Sequence, residues 1–505
     1  MNPFAAATAG GDASLAKADE AVICALLDAA PTLVLAGAID GNPAATPLRF
    51  ARQGLELFMF VHRGSRMAAQ LALNPQAQAV IWDEARGMGL EIAGRGTLLR
   101  PGPARDAARA LLAARFAPPG DDAALACLHL RPTRLGLVDA TGAARHWAWH
   151  EFPGNQPAPP VQAMQALGRW LHLWVRAARA PFFTAAIVPV LLGAAVAFRA
   201  LAQAGLGARF SWPVFLWALL GAVLAAAGTN LANDYGDHES GCDDANQAAT
   251  PFSGGSRAIQ LGLLAPWKVL AGAGVCFGAT IGIGLHINAM LAGSAFAPTP
   301  LLATGIIGVA LGVTYTAGPV RLSYAGLGEL AVALGFGPVI VLGTAYVLAA
   351  KAGVACAWGD GLLASLPVAL FIMLVLWINQ FQDAPADAAS AKRNWVVRLS
   401  GRGDGQFSFG RAFAVYQGLN ISGFALIALL GVLVTPWALL GLVALPLHVR
   451  AARQGRAWVA AWDSAPPAAR AQLPFALLPV NAATIFVHLT TGLALALGVM
   501  LSALV

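Results

Sequence analysis

The sequence predicts two domains of different class: a small β-barrel of the α+β type, followed by an all-α polytopic membrane bundle of about nine transmembrane helices. Three observations lead there. The 505-residue chain is 58% hydrophobic and only 11% charged, with mean hydropathy +0.64, whereas soluble domains carry about 25% charged residues. Short β-rich runs separated by turn residues fill the first 150 positions, and long apolar runs recur from residue 181 onward. A proline-rich stretch poor in periodicity, EFPGNQPAPPVQAMQ (Glu151 to Gln165), parts the two as a semi-rigid linker. The domains are therefore expected at 1–150 and 169–505, with the linker over 151–168.

The chain begins with no basic segment followed by an apolar core, and Asp28 and Pro31 interrupt the run Val22 to Ile39. Neither a signal peptide nor an early membrane span is expected. Apolar spacing suits a helix from Leu15 to Ala29. Strands are expected at Thr32 to Ile39, Ala44 to Phe50, Leu55 to Val61, Ala77 to Asp83 and Leu90 to Leu99, with Asp40-Gly41-Asn42-Pro43 as a turn. Ser65 can cap a helix to Leu73, Pro103 can open another to Phe116, and a strand pair, Ala126 to Val138 and Ala143 to Trp149, closes the domain. Many short strands with two or three helices form a small barrel.

Beyond the linker, apolar segments run over Pro181 to Leu201, Trp212 to Asn230, Val269 to Ala292, Leu301 to Tyr315, Leu327 to Ala350, Leu362 to Ile378, Phe413 to Val434, Trp437 to Leu447 and Phe475 to Leu504. The fourth and eighth are short for a span needing ~20 residues. Among the loops, fifteen basic residues (Arg169, Arg176, Arg179, Arg257, Lys268, Arg321, Lys392, Arg393, Arg398, Arg402, Arg411, Arg450, Arg453, Arg456 and Arg470) fall on one side, against Arg199, Arg209 and Lys351 on the other. By the positive-inside rule the first side is cytoplasmic, so the barrel faces the cytoplasm from an inner, multi-pass membrane location and the C-terminus faces out. The net charge of +7 reads as topology and implies no nucleic-acid partner. Cys24, Cys127, Cys242, Cys276 and Cys356 form no CxxC pair, which argues against a disulfide framework and against zinc or iron–sulfur sites.

Two polar stretches carry the chemistry. TNLANDYGDHESGCDDANQAATPFSGGSR (Thr229 to Arg257) follows the apolar run Val214 to Ala227, and NQFQDAPADAASAKRNWVVRLSG (Asn379 to Gly401) follows Leu362 to Ile378. Asn233 precedes Asp237 by four residues, and Asn379, Asp383 and Asp387 stand at successive intervals of four. Residues four apart share one helix face and rise about 6 Å. Each stretch thus presents a polar stripe at a helix end. Such stripes facing one another repel unless divalent cations lie between them, and hard oxygen donors that leave room for phosphates suit magnesium. As solvated helix caps they would need no cation, but their repetition in matching membrane context favours function.

The second domain resembles the UbiA superfamily of intramembrane prenyltransferases over nearly all of Trp170 to Val505. The resemblance rests on NDYGDHESGCD (Asn233 to Asp243), PFSGGSR (Pro251 to Arg257), YTAGPVRLSYAGLGE (Tyr315 to Glu329) and the Asn379 to Gly401 stretch. The first of these is most similar to the 1,4-dihydroxy-2-naphthoate prenyltransferases of menaquinone synthesis, with Gly241 where other members carry a third Asp. That leaves Asp237, Asp243 and Asp244 as alternatives for the last ligand of the first site. The resemblance implies transfer of a polyprenyl group from a prenyl diphosphate to an aromatic acceptor at the lipid bilayer, with Mg2+. Metal ligands would come from Asn233, Asp234, Asp237, Asp243, Asn379, Asp383 and Asp387, and diphosphate clamps from Arg257, Lys392, Arg393, Arg398, Arg321 and Tyr315. Glu329 would orient a clamp or the acceptor, or simply charge a helix start. Acceptors other than the naphthoate, such as 4-hydroxybenzoate, fit the same residues. A transporter of divalent cations or phosphorylated solutes is the alternative from another class, but it should place ionisable groups deep in several spans.

The first domain resembles the pyridoxamine 5'-phosphate oxidase-like split barrels that bind flavin mononucleotide (FMN), over about Ala21 to His150. The resemblance rests on the order of elements, on ATPLRF (Ala45 to Phe50), on HRGSRMAAQLALNPQAQAVIWD (His62 to Asp83) and on LRPTRLGLVDATGAARHW (Leu130 to Trp147). It implies an FMN site at Arg49, Phe50, Ser65 and Arg66, and a dimer through the barrel. Backbone N–H groups at a helix start beside a guanidinium do make an anion site, although Ser65 would equally serve as a plain N-cap. His286, His448 and His488 have no ligand partners at helical spacing and read as packing or interfacial residues.

Overall fold

A computed structural model of the chain describes residues 17–39, 42–117, 124–141, 144–148, 163–246, 250–402 and 406–504. The Asp40-Gly41 half of the expected turn, and the linker as far as 162, lie outside the described residues. Two compact units result, Met1–Trp174 with Ala258–Ala265, and Val175–Arg257 with Pro266–Val505.

In the first unit, α1 (Lys17–Ala29) precedes β1 (Thr32–Ile39), β2 (Asn42–Gln53) and β3 (Glu56–His62). Then come α2 (Arg66–Leu73), β4 (Gln76–Asp83), β5 (Met88–Leu98), α3 (Pro103–Arg115), β6 (Leu125–Asp139) and β7 (Ala144–Ala148). The strands pair in the order β3-β2-β1-β4-β5-β6-β7, and β3 also pairs β6 with Phe60 opposite Cys127. Strands β1 to β6 therefore close an antiparallel barrel, and β7 extends from β6. Period-two burial fills it: Leu33 and Leu35 point inward while Thr32 and Val34 stay exposed. Phe50, Leu57, Met59, Leu90, Leu128 and Leu130 complete the interior. The register slips between Ala93 and Gly94, where Pro132 sits opposite Gly94. A proline is tolerated at such a bulge because the ladder there has already lost a bond. A Cβ on Gly94 would come 2.5 Å from the Arg131 carbonyl, so the close crossing requires glycine.

The chain continues with α4 (Ala163–Ala177), α5 (Thr184–Gln203), α6 (Trp212–Glu239), the short α7 (Cys242–Ala245), α8 (Pro266–Ala292) and α9 (Pro300–Thr314). Next follow α10 (Leu322–Ala325), α11 (Gly328–Leu334), α12 (Ile340–Ala352), α13 (Trp358–Ala389) and α14 (Trp395–Ser400). The chain ends with α15 (Gly410–Leu433), α16 (Leu445–Ser464), α17 (Leu473–Ala476) and α18 (Leu478–Leu501). A π-turn at Gly335–Val339 joins α11 to α12 around Pro338, absorbing the missing N–H.

Among the described residues, seven helices are long and apolar enough to cross a bilayer, against the nine segments expected. Two fall short for a geometric reason. Pro300–Thr314 has 15 residues, which rise only about 22 Å against a hydrocarbon core of about 30 Å. The expected segment Trp437 to Leu447 is a short 3-10 stretch, Pro436–Ala444, leading into α16. By contrast α6 and α13, at 28 and 32 residues, exceed the core thickness and can carry their polar last turns beyond it.

Small residues let the spans approach closely. A Cβ on Gly193 of α5 would lie 2.5 Å from the Val341 carbonyl of α12, whereas Gly274 on α8 has nothing within 4 Å. Overpacking a tight contact costs about 1–3 kcal/mol. Gly193→Ala should lower the melting temperature of the purified protein in detergent, and Gly274→Ala should leave it unchanged or raised, since alanine favours a helix. Equal melting of the two variants would contradict the close α5–α12 contact.

Candidate active site

In the second unit a cavity of about 240 Å³ opens among α6, α9, the α11–α12 turn and α13. One end is polar, lined by Asn233, Asp237, Asp243, Asn246, Asn379, Asp383, Asp387, Arg179 and Lys392. The rest is wall of small and apolar side chains such as Ala226, Gly312, Val332, Phe336, Ile372 and Val375.

Helical spacing builds the polar end. Asn233 and Asp237 stack one turn apart on α6, with Asn233 Nδ2 donating to Asp237 Oδ2 at 2.9 Å. Asn379, Asp383 and Asp387 stack likewise on α13. After α13 the chain reverses through Ala391, whose φ is +59°, and the Lys392 amide donates to the Asp387 carbonyl at 2.8 Å. That reversal swings the Lys392 side chain inward. Its Nζ donates to Asp237 at 3.0 and 3.2 Å and lies 3.7 Å from Asp387 Oδ1. Burial alone would depress this ammonium, but attraction by Asp237 and Asp387 holds it well above the usual lysine value.

Each remaining carboxylate has its own support. Tyr324 OH donates to Asp237 Oδ1 at 2.9 Å, Asn246 Nδ2 to Asp383 Oδ1 at 2.7 Å, and Asn394 Nδ2 to Asp387 Oδ2 at 2.7 Å. Cys242 Sγ donates to Asp387 Oδ1 at 3.2 Å. Asp243 differs: among the described residues its buried Oδ2 has no partner, and a Cβ on Gly255 would collide with it. Burial, with repulsion from Asp237 and Asp234, pushes the Asp243 carboxyl up to about 8.

The structure sorts the residues singled out from sequence. Asn233, Asp237, Asp243, Asn379, Asp383, Asp387, Lys392 and Tyr315 line the cavity, whereas Asp234 does not. Its carboxylate accepts from the Ser256 amide at 3.1 and 3.3 Å and so pins the PFSGGSR loop. Arg257 is absent from the lining and donates to the Asp243 carbonyl. Arg398 donates to the carbonyls of Arg393 and Ala325 at 2.8 and 2.7 Å, and Arg321 lies 5.6 Å from the Tyr324 ring centre. The Arg393 amide donates to the Tyr324 carbonyl. Arg398, Arg321 and the Arg393 backbone thus surround Tyr324, and neither they nor Arg257 are in the cavity lining. Glu329 Oε1 accepts from the Trp395 amide at 2.9 Å.

Sequence reasoning missed Arg179, which it counted only as a topology charge. Arg179 adopts φ +56° immediately before the 3-10 turn Ala180–Phe183, and it lines the cavity as a second cation. A basic residue next to Ala180-Pro181 at the start of a span was the available signal. Asn246 and Gln380, also in the lining, lie inside the two quoted stretches.

Among the described residues, no three His, Cys, Asp or Glu side chains converge to hold a metal by themselves. Magnesium binds through one or two carboxylates plus substrate phosphates and retains waters. Carboxylates distributed around one cavity, with an unpartnered oxygen on Asp243, fit that mode. In the barrel, Ser65 caps α2, its Oγ accepting from the Ala68 amide at 3.2 Å, and its hydroxyl proton stays available to an anion. Arg66 is exposed, with its guanidinium against Gly262 of the same unit. Arg49 lies 5.6 Å from the Phe116 ring centre. Phe50 is fully buried in the barrel interior, so its ring is withdrawn from any flavin and only its backbone could flank one.

Residues 186–476 match the model of the "UbiA prenyltransferase family", and residues 20–139 match that of "Pyridoxamine 5'-phosphate oxidase". The chain is 37% identical over 289 residues to the 1,4-dihydroxy-2-naphthoate octaprenyltransferase of Mycobacterium tuberculosis, covering 56% of this chain and 87% of the relative. It is 29% identical to the 2-carboxy-1,4-naphthoquinone phytyltransferase of Synechocystis, with coverages of 56% and 81%. Among solved structures, a putative pyridoxamine 5'-phosphate oxidase from Listeria innocua is 20% identical, covering 23% of this chain and 94% of that one at a TM-score of 0.21.

Two outcomes follow from the electrostatics. Lys392→Met leaves Asp237 and Asp387 without the ammonium between them, and removing one partner of a buried ion pair costs about 3–5 kcal/mol; a variant melting like the wild type would show that the pair is not held by this charge. Asp243 has its folded-state value raised from about 3.9 unfolded to about 8, so its contribution is favourable below about pH 4 and is lost as pH rises through 8. In chelator, Asp243→Asn should flatten the fall in melting temperature between those pH values. An unchanged pH profile would show that Asp243 ionises normally.

Proposed function

Because the chain belongs to the UbiA prenyltransferase family, whose model its residues 186–476 match, we propose that it transfers a polyprenyl group from a prenyl diphosphate to 1,4-dihydroxy-2-naphthoate with the help of magnesium. The observation that carries this reading is one cavity with carboxylates and cations at one end and apolar wall over the remainder. A prenyl diphosphate has the same polarity, an anionic head on a hydrocarbon chain. The acceptor follows the naphthoate-derived substrates named in the relatives.

Asp237, Asp243, Asp383 and Asp387 would hold magnesium, which when bound neutralises charge on the leaving diphosphate. The chain's own residues do the rest. Lys392 and Arg179 set positive charge at the same end, where it stabilises the diphosphate as the allylic carbon–oxygen bond breaks and the electron pair departs with oxygen. The apolar wall around Phe336 and Ile372 excludes water, so the allylic cation survives until the aromatic ring attacks it and a carbon–carbon bond forms. The ring regains aromaticity as the attacked carbon loses its proton to solvent or its carboxylate as carbon dioxide, the electron pair of the broken bond returning to the ring. Family membership sets the transporter alternative aside.

The basic loops support an inner-membrane orientation with both acidic stretches and the barrel in the cytoplasm. For the barrel we propose FMN as the ligand, its phosphate at Ser65 and Arg66 on the start of α2, in a dimer formed through the barrel. Purified full-length protein should then show a flavin absorbance spectrum or acquire one on adding FMN, and Ser65→Ala with Arg66→Ala should abolish it. Protein that stays colourless with excess FMN excludes this ligand.

The decisive assay offers labelled prenyl diphosphate and magnesium to membranes, with the naphthoate and 4-hydroxybenzoate supplied separately. Prenylated product is expected with the naphthoate. Product with 4-hydroxybenzoate alone would reassign the acceptor. Asp383→Ala should insert normally and lose transfer by about 10² or more, the usual scale for removing a preorganised electrostatic group; wild-type turnover in that variant would refute its role.

A further inference from the structure

The orientation of the Asn379 amide is dictated by a chain of hydrogen bonds that begins at a backbone carbonyl. A carbonyl can only accept. The Pro474 carbonyl therefore takes its bond, at 2.6 Å, from Gln382 Nε2, which turns Gln382 Oε1 the other way. That oxygen accepts from Thr250 Oγ1 at 3.3 Å and from Asn481 Nδ2 at 3.4 Å. Asn481 stands on α18 with its side chain fully buried, and the same Nδ2 donates to Asn379 Oδ1 at 2.8 Å.

Both Asn481 amide protons are thus engaged, and among the described residues Asn481 Oδ1 has no hydrogen-bond partner. Reversing Asn481 would set its oxygen against Gln382 Oε1, a contact between two acceptors. The network consequently runs in one direction. Asn379 lines the cavity and Asn481 does not, so with its oxygen turned to Asn481 the group Asn379 presents to the cavity is its NH2.

We propose that Asn379 donates a hydrogen bond from Nδ2 to a diphosphate oxygen instead of giving its oxygen to a metal, and that Asn481 is the positioning residue that fixes it so. An amide nitrogen has no lone pair free for a cation, whereas its protons suit a phosphate oxygen. Sequence spacing put Asn379 among the metal ligands because it repeats the interval of Asp383 and Asp387. The hydrogen-bond chain separates it from them. This assignment rests on the prenyl diphosphate reading but not on the acceptor.

The test uses the purified full-length protein in detergent and inorganic diphosphate as the probe. Magnesium alone is first titrated by its effect on melting temperature, and diphosphate is then titrated by calorimetry at saturating magnesium. Asn379→Leu should weaken diphosphate binding about tenfold or more while leaving the magnesium midpoint within about twofold. A magnesium midpoint that rises as far as the diphosphate affinity falls would overturn the assignment and restore Asn379 as a ligand. Asn481→Leu, which frees the amide to rotate, should give a smaller loss of diphosphate affinity; no loss would remove its positioning role. If the leucine variant of Asn379 does not fold, Asn379→Ala serves in the same two titrations. Wild-type protein that binds diphosphate but fails to prenylate the naphthoate would refute the acceptor alone, and wild-type protein that does not bind diphosphate would overturn both readings.

Discussion

The Lys392 ammonium holds the site together, because it joins two helices whose polar ends would otherwise repel. Asp237 on α6 and Asp387 on α13 both reach it, at 3.0 and 3.7 Å. Their side chains are 6% and 4% exposed, so solvent screens their mutual repulsion poorly. Burying such charges is costly in itself, which makes the arrangement weak as a source of stability and better understood as a prepared electrostatic site. Asn394 and Tyr324 fix the same two carboxylates from outside the cavity. The loops that supply Lys392, Asn394 and Tyr324 are in turn tied by Arg398, which bonds the Ala325 and Arg393 carbonyls.

That layering explains which site residues were legible in the sequence. Spacing of four along a helix needs no tertiary information, so the stripes of α6 and α13 could be read directly, and six of the seven proposed metal residues line the cavity. The exception, Asp234, is adjacent to Asn233, and a step of about 100° turns it away toward the Ser256 amide. Arginines defeated the same reasoning. An arginine in a loop near an acidic motif serves equally well as a substrate clamp or as a clip on backbone carbonyls, and only the folded loop distinguishes Arg257 and Arg398, which are clips, from Arg179, which faces the cavity.

The two units also differ in how well their architecture could be read. In the barrel, turn residues bound the strands, alternating burial marks β1 and β4, and Ser65 announces α2 because a cap is a local hydrogen bond. Strand ends moved only by a few residues. In the bundle, apolar composition located the segments but could not set their length, since Pro300–Thr314 and Pro436–Ala444 are as greasy as the full spans. Packing decides there: Gly193 and Gly337 allow helix contacts that a Cβ would close to 2.5 Å.

Directionality in the amide network carries one more consequence for the cavity. Hydrogen bonds between neutral amides are ambiguous in isolation, since each group both donates and accepts. One anchored acceptor removes the ambiguity for every group beyond it. Pro474 supplies that anchor from α17, outside both acidic stretches, and Asn481 transmits it from α18. The last helix therefore does more than fill the bundle: it sets which atom of Asn379 faces the cavity, a choice that neither α6 nor α13 makes through its own spacing. A polar site built on two repeated stretches thus takes part of its chemical sense from a third, apolar segment whose sequence gives no hint of it.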